Sequence, residues 1–311
     1  MHIINTLLPV FLIIALGALL RKTKFVSAEF VAGLNRLVFW IGLPCLLFYK
    51  VATAGYDYRL AGRTCLVMII GMLSCTIVAY IVAFIIRIPP RAVGTFVQGT
   101  FRGNLYYVGL ALIIYSFAGA DSKMSAQMEN VAILVMALLV PVYNIGSIIV
   151  LLASRHKLDR YVPLKITRQV ITNPLFLACA AGVIYSQIFP PLPLVIIRTL
   201  SAVGQVSLPL ALIGIGAVLA QSKIAGCGIP ALAASIIKIA VAPIVGFWAA
   251  HLIGLGTGET RIVLLFLACP TAVTSYVVTE QLGGDEKLSA AIIVVSTILS
   301  ILSLSVVIGL F

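Results

Sequence analysis

The sequence predicts an all-α polytopic membrane protein of ten transmembrane helices in two inverted five-helix repeats, with helices 4 and 9 broken. Three observations predict it. The 311 residues are 62% hydrophobic and only 10% charged, with mean hydropathy +1.18, whereas soluble domains carry roughly 25% charged residues. The chain repeats itself at about half its length. Pro9 matches Pro174 and Leu43-Pro44 matches Leu208-Pro209 at an offset of 165, and residues 119–126 (GADSKMSA) match residues 283–290 (GGDEKLSA) at five of eight positions. Finally, two apolar runs are interrupted at corresponding places, Asn104 and Pro270.

A span needs about 20 mostly apolar residues. Residues 3–20, 64–86, 131–153, 199–222 and 288–311 are uncharged runs of this kind. Residues 31–49 carry Arg36 near one end, 166–189 carry Arg168 at the edge, and 224–253 are interrupted by Lys238 and His251. Residues 92–118 and 262–280 are the broken runs, which makes ten spans, five per half. Because five is odd, the second half must sit upside down relative to the first. The halves are residues 1–153 and 166–311, joined by a short loop at 154–165.

The net charge of +12 is not a nucleic-acid face, because Lys and Arg sit in short clusters between apolar runs. On the predicted topology thirteen of them fall on one side and six on the other. The richer side is expected to be cytoplasmic, with the 154–165 loop there and both termini outside. At the N-terminus the charges follow the apolar run, which reads as a retained span and not a cleaved signal peptide. The six cysteines are scattered without C-x-x-C and read as small packing residues. Neither G-x-S-x-G, H-E-x-x-H nor an intramembrane acidic pair is present, so an enzyme is not expected, nor a cofactor or metal.

The broken spans carry the chemistry. In span 4, Gly94, Gly99, Gly103 and Gly109 punctuate the run and Arg102 and Asn104 stand at its centre. Glycine weakens a helix and asparagine competes with it through local bonding. In span 9, Pro270 removes a backbone donor, and Thr271, Thr274 and Ser275 supply hydroxyls beside it. Matched interruptions point to a transport site, and the freed amides and positive half-helix ends suit an anion. Arg102 and Lys238 are the two charges deep within spans. Each costs about 2.5–3.5 kcal/mol at a helix centre. Each is either an anion partner or a structural cation bonded to carbonyls, and Pro243 frees one such carbonyl near Lys238. His251 reads as interfacial, and Glu280, at the end of span 9, has only a weak claim to proton coupling. Pro44 and Pro209 are expected to kink spans 2 and 7, which with Ala211, Gly214, Gly216 and Ala217 form a packing scaffold and a wall of the site.

The residues quoted so far resemble the auxin efflux carrier family, the bacterial relatives of plant PIN-type carriers, over essentially the whole chain. The most specific stretch is residues 269–300, CPTAVTSYVVTEQLGGDEKLSAAIIVVSTILS, supported by NRLVFWIGLPCLLF at 35–48, FRGNLYYVG at 101–109 and KIAVAP at 238–243. The resemblance implies that spans 4 and 9 cross at their breaks. It implies a scaffold of spans 1, 2, 6 and 7 with a moving domain of the other six, elevator-type alternating access, and a homodimer. It places Asn104 on a substrate-contacting asparagine and Pro270 on the crossover proline. Many members have asparagine where this chain has Thr274, which bears on substrate identity. The expected function is carriage of small organic anions, carboxylates such as malate, malonate or auxin-like acids. The expected site is Arg102, Gly103, Asn104, Pro270, Thr271, Thr274, Ser275, Pro44 and Lys238. A receptor on the same fold and an anion channel are the alternatives. No aspartate lies inside a span, which favours uniport or proton linkage over sodium symport.

Overall fold

The structure is a computed structural model that describes residues 2–53, 58–118, 121–155, 164, 167–168, 171–221 and 228–311. Most of the loop expected at 154–165, together with Lys223 and Cys227, lies outside the described residues. The chain is all-helical, and among the described residues no strand is formed. The helices are α1 (His2–Lys22), α2 (Ala28–Leu37), α3 (Leu43–Thr53), α4 (Tyr58–Ile85), α5 (Pro90–Phe101), α6 (Leu110–Phe117) and α7 (Ser122–Ala153). The second half gives α8 (Pro174–Ile188), α9 (Leu194–Gln221), α10 (Gly228–Ile236), α11 (Ala242–Ile253), α12 (Thr257–Ala268), α13 (Thr274–Gln281) and α14 (Glu286–Gly309). Seven helical runs among the described residues are long and apolar enough to cross a membrane: α1, α2–α3, α4, α7, α9, α10–α11 and α14.

Local sequence explains the irregularities. Short π-helical segments, Val38–Gly42 and Ile237–Val241, join α2 to α3 and α10 to α11. Each ends just before a proline, Pro44 or Pro243, whose missing N–H and ring clash disturb the preceding turn. In contrast, α9 runs on as α-helix through Pro209. The run expected at 166–189 is divided: residues 167–168 and 171 are helical, and α8 starts afresh at Pro174, because Asn173 accepts the amides of Leu175 and Phe176 and Pro174 takes the first helical position. Pro9, its match in the repeat, lies inside α1 instead. The matched Asp121 and Asp285 both stand at helix N-caps, of α7 and α14.

The helices pack as two groups. Helices α1, α2–α3, α8 and α9 lean mainly on one another, with α1 on α9 and α3 on α8 the largest contacts. Helices α4, α5, α7, α10, α11, α12 and α14 make the second group, with α6 on α7 and α13 on α14. The α1–α9 contact is made by glycine. A Cβ at Gly216 would land on the Ile14 carbonyl oxygen, and one at Gly17 on that of Ile213. Such close approach is how helices associate where lipid removes the hydrophobic driving force. On its other side α1 exposes Ile4, Leu8, Leu12, Leu16 and Leu19, one stripe at helical spacing that suits contact with acyl chains. Half-buried hydroxyls return to their own helices, as Ser74 does to Ile70 and Thr76 to Met72.

Replacing Gly216 by Val is therefore expected to drive a branched side chain into the α1 backbone, at a cost of about 1–3 kcal/mol or more. Thermal unfolding of detergent-purified protein should show a clear fall in midpoint. Gly33→Val, where nothing lies within 4 Å of the added Cβ, should not.

Candidate functional site: a crossover of two broken helices

Span 4 breaks between α5 and a π-helical turn, Leu105–Gly109, that leads into α6. Span 9 breaks between α12 and α13. Arg102 (φ −76°, ψ 88°) and Asn104 (φ −82°, ψ 68°) leave helical geometry, as does Cys269 (φ −58°, ψ 148°). The two unwound stretches run antiparallel and pair: the Asn104 amide donates to the Pro270 carbonyl at 2.9 Å, and the Ala272 amide to the Arg102 carbonyl at 2.9 Å. Gly103 and Thr271 face each other at the centre of this bridge. Pro270 thus serves as acceptor at a position where it needs no donor.

The remaining backbone groups are held by side chains. The Thr271 hydroxyl donates to the Gly99 carbonyl at 2.7 Å, and the Thr271 amide donates to Ser296 Oγ at 3.0 Å. Ser303 Oγ donates to the Ala268 carbonyl, and Gln98 Nε2 to the Ser275 carbonyl. Lys238 is wholly buried, at 0% exposure, and its Nζ donates to the Leu267 carbonyl at 2.6 Å. That carbonyl belongs to the last turn of α12, where the break leaves carbonyls without backbone N–H donors and a cation complements the dipole. The ammonium sits tightly, since a Cβ on Gly103 would come within 3.3 Å of it. Lys238 bonds across to Leu267 of broken span 9, not to a carbonyl freed by Pro243 on its own span.

A cavity of about 580 Å³ opens on one face of the crossover. It lies between the two helix groups. The first group contributes Asn35, Arg36, Phe39 and Trp40 from α2 and its π segment, and Asn173 and Pro174 from the start of α8. The second contributes Arg102–Tyr107, Val140, Tyr143 and Asn144 of α7, and Ala272–Thr274, Val277, Val278 and Gln281. Arg102 is 6% exposed. Its Nη2 donates to Asn144 Oδ1 at 2.7 Å and to Thr274 Oγ1 at 3.3 Å, while Nη1 is buried without a partner, as is the Tyr106 hydroxyl. No carboxylate lines the cavity among the described residues. The first turns after both breaks, Leu105–Tyr107 and Val273–Thr274, also border it, so two positive helix ends face the same space.

Of the nine residues expected at the site, the cavity brings together Arg102, Gly103, Asn104 and Thr274. Pro270 and Thr271 form the bridge behind it, Ser275 lies beside the bridge, Lys238 braces it, and Pro44 lies outside the lining. Sequence reasoning missed Asn144, Asn35, Tyr106 and Asn173, and took Arg36 only as a topology charge. Asn144 carried a usable signal, because a lone amide within an uncharged apolar run is costly unless it has a partner.

Broken helices that cross beside a cavity are an arrangement expected of a membrane transport protein. The comparisons with known proteins agree. The chain matches the family described as "Membrane transport protein" over residues 2–308, and it belongs to that family, the auxin efflux carrier-like group that the sequence resembles. A protein of Rhizobium meliloti (strain 1021) named "Putative malonate transporter" is 24% identical over 314 residues, covering 96% of this chain and 93% of its own. The chain is a membrane transporter and not an enzyme.

Lys238→Met keeps the stem and removes the donor to Leu267. It is expected to cost about 1–3 kcal/mol through the orphaned carbonyl, measured as a lower thermal midpoint. Lys238→Arg should not restore it, because the Gly103 contact leaves no room for a guanidinium.

Proposed function

We propose that the chain is a secondary carrier for small organic anions, dicarboxylates of the malonate class foremost, with the anion held in the crossover cavity. The observation that carries this reading is Arg102: a buried cation at a cavity wall without any carboxylate among the described residues, with one guanidinium nitrogen unpartnered. A buried charge without a counter-ion is expensive, and an anion that enters the cavity supplies the missing partner. A planar guanidinium also matches a carboxylate in two-point geometry. Asn144 and Thr274 orient it, and Asn104 borders the same space. Arg36, across the cavity on the other helix group, offers a second carboxylate a cation. The name of the malonate-transporting relative agrees with a substrate bearing two carboxylates.

The finer architecture belongs to the same proposal. Adding the two broken spans (α5–α6 and α12–α13) and α8 to the seven long runs gives ten crossings in two inverted halves of five. The inverted halves are supported by the matched helix caps at Asp121 and Asp285 and by the antiparallel symmetry of the crossover. The four-helix group would stay fixed as scaffold, within a homodimer, while the other group carries the site across in an elevator movement. A cavity shared between the groups supports that division. The protein would sit in the cell membrane with both termini outside and its basic loops cytoplasmic. Pro44 would stiffen the fixed wall, and Thr271, Pro270, Gly103, Ser275 and Lys238 would keep the crossover in shape.

Purified protein in proteoliposomes on a solid-supported membrane is expected to give a saturable response to malonate or a close dicarboxylate. Arg102→Gln should weaken apparent affinity about ten- to a hundredfold, the worth of a hydrogen bond to a charged group. Asn104→Ala should lower it less. A response indifferent to Arg102→Gln removes the cavity as the anion site.

A further inference from the structure

We propose that the Lys50–Glu129 ion pair is a latch between the two helix groups, one that favours the arrangement seen here and must part before the site can open on the opposite face. The proposal rests on the carrier reading above and adds to it the contact that biases which face is open. Lys50 lies in the last turn of α3, in the four-helix group, and Glu129 near the start of α7, in the other group. Nζ and Oε2 are 2.9 Å apart, and the two side chains are 28% and 17% exposed.

The pair borders a second cavity of about 350 Å³, lined also by Tyr49, Ala111, Ser201, Gln205 and Pro209. This cavity and the one at Arg102 flank the same midline. Along α2–α3, the first takes Asn35–Trp40 and the second Leu46–Lys50, with Leu43-Pro44 between them. Along the helix after the span 4 break, the first takes Leu105–Tyr107 and the second Ala111–Tyr115. Along α7 the first takes Val140–Asn144, whereas the second takes Glu129, roughly 16 Å away at 1.5 Å per residue. The molecule therefore has one cavity on each side of a shared septum, both between the same two groups, and the ion pair stands at the second.

An ion pair at 2.9 Å does not survive a slide of one group past the other by even one helical turn, about 5.4 Å. It exists in one arrangement and not in the displaced one, so it shifts the balance between them by its full worth. A partly exposed pair of this kind supports roughly a two- to fivefold shift, a bias that substrate binding can overcome and not a lock.

Cysteine accessibility in the full chain tests this without substrate. Val277→Cys reports the Arg102 cavity, where Val277 is exposed, and Ala111→Cys reports the second cavity, where Ala111 is buried. Rates of reaction with a maleimide are compared with those of the chain lacking the reporter. Glu129→Gln, and separately Lys50→Gln, are expected to raise labelling of the Ala111→Cys reporter and lower labelling of the Val277→Cys reporter, so that the ratio of the two rates shifts about two- to fivefold. The charge-swapped double variant Lys50→Glu/Glu129→Lys should return both rates. Three results overturn the latch: rates unchanged by either neutralisation, a rise at both reporters, which marks the pair as mere packing, or a swap that behaves like the single variants. Because labelling reads helix position alone, its failure leaves anion carriage standing, and failure of anion carriage leaves the labelling shift intact.

Discussion

An unwound backbone inside a bilayer has nothing but protein to bond with, and the rest of this structure follows from how that demand is met. Two spans give up their helices at the same depth and satisfy each other across an antiparallel bridge from Asn104 to Pro270 and from Ala272 to Arg102. Neither break would be tolerable alone. The bridge fixes where four half-helices end, and hence where their partial charges fall. Carbonyl ends point into the protein and are met by Lys238 and by the hydroxyls of Thr271 and Ser303. Amide ends border the cavity.

Two buried cations flank this bridge and have opposite fates. Lys238 reaches a helix-end carbonyl and sits in a space without slack, so its charge is consumed by the fold. Arg102 is tied at Nη2 by Asn144 and Thr274, neutral groups that orient a guanidinium without neutralising it. Nη1 is left without a partner, and on the proposed reading its charge is kept for the transported anion. On the proposed reading, the cavity's position between two separately packed helix groups would couple binding to their relative placement, because an anion held by Arg102 would meet the other group through Arg36 and Asn35.

Much of this was legible in the sequence because backbone breakers act locally. Pro270, Gly103 and Asn104 reveal the breaks wherever they stand, and the offset repeat reveals that the breaks match. The all-helical, membrane-spanning character follows from composition alone. Positions such as Tyr106 and Asn173 were not legible, since their role depends on which face of which helix meets the crossover, and span-level periodicity does not fix that. Lys238 could be flagged as a buried charge, but its partner Leu267 lies on another span, so choosing between ligand and brace required the packing. The start of α8 at Pro174 was legible in Asn173-Pro174, a cap followed by a proline at the first helical position, and was passed over, whereas Thr274 turned out to bond Arg102, which no spacing could show.

The central claim is that Arg102 waits for a carboxylate. A structure determined in lipid nanodiscs with saturating malonate tests it most directly. The account predicts a carboxylate within hydrogen-bonding distance of Arg102 Nη1, beside Asn104, with the Asn144 and Thr274 contacts retained. Malonate found elsewhere, or an Arg102 that keeps only its protein partners while the ligand is bound, would contradict it.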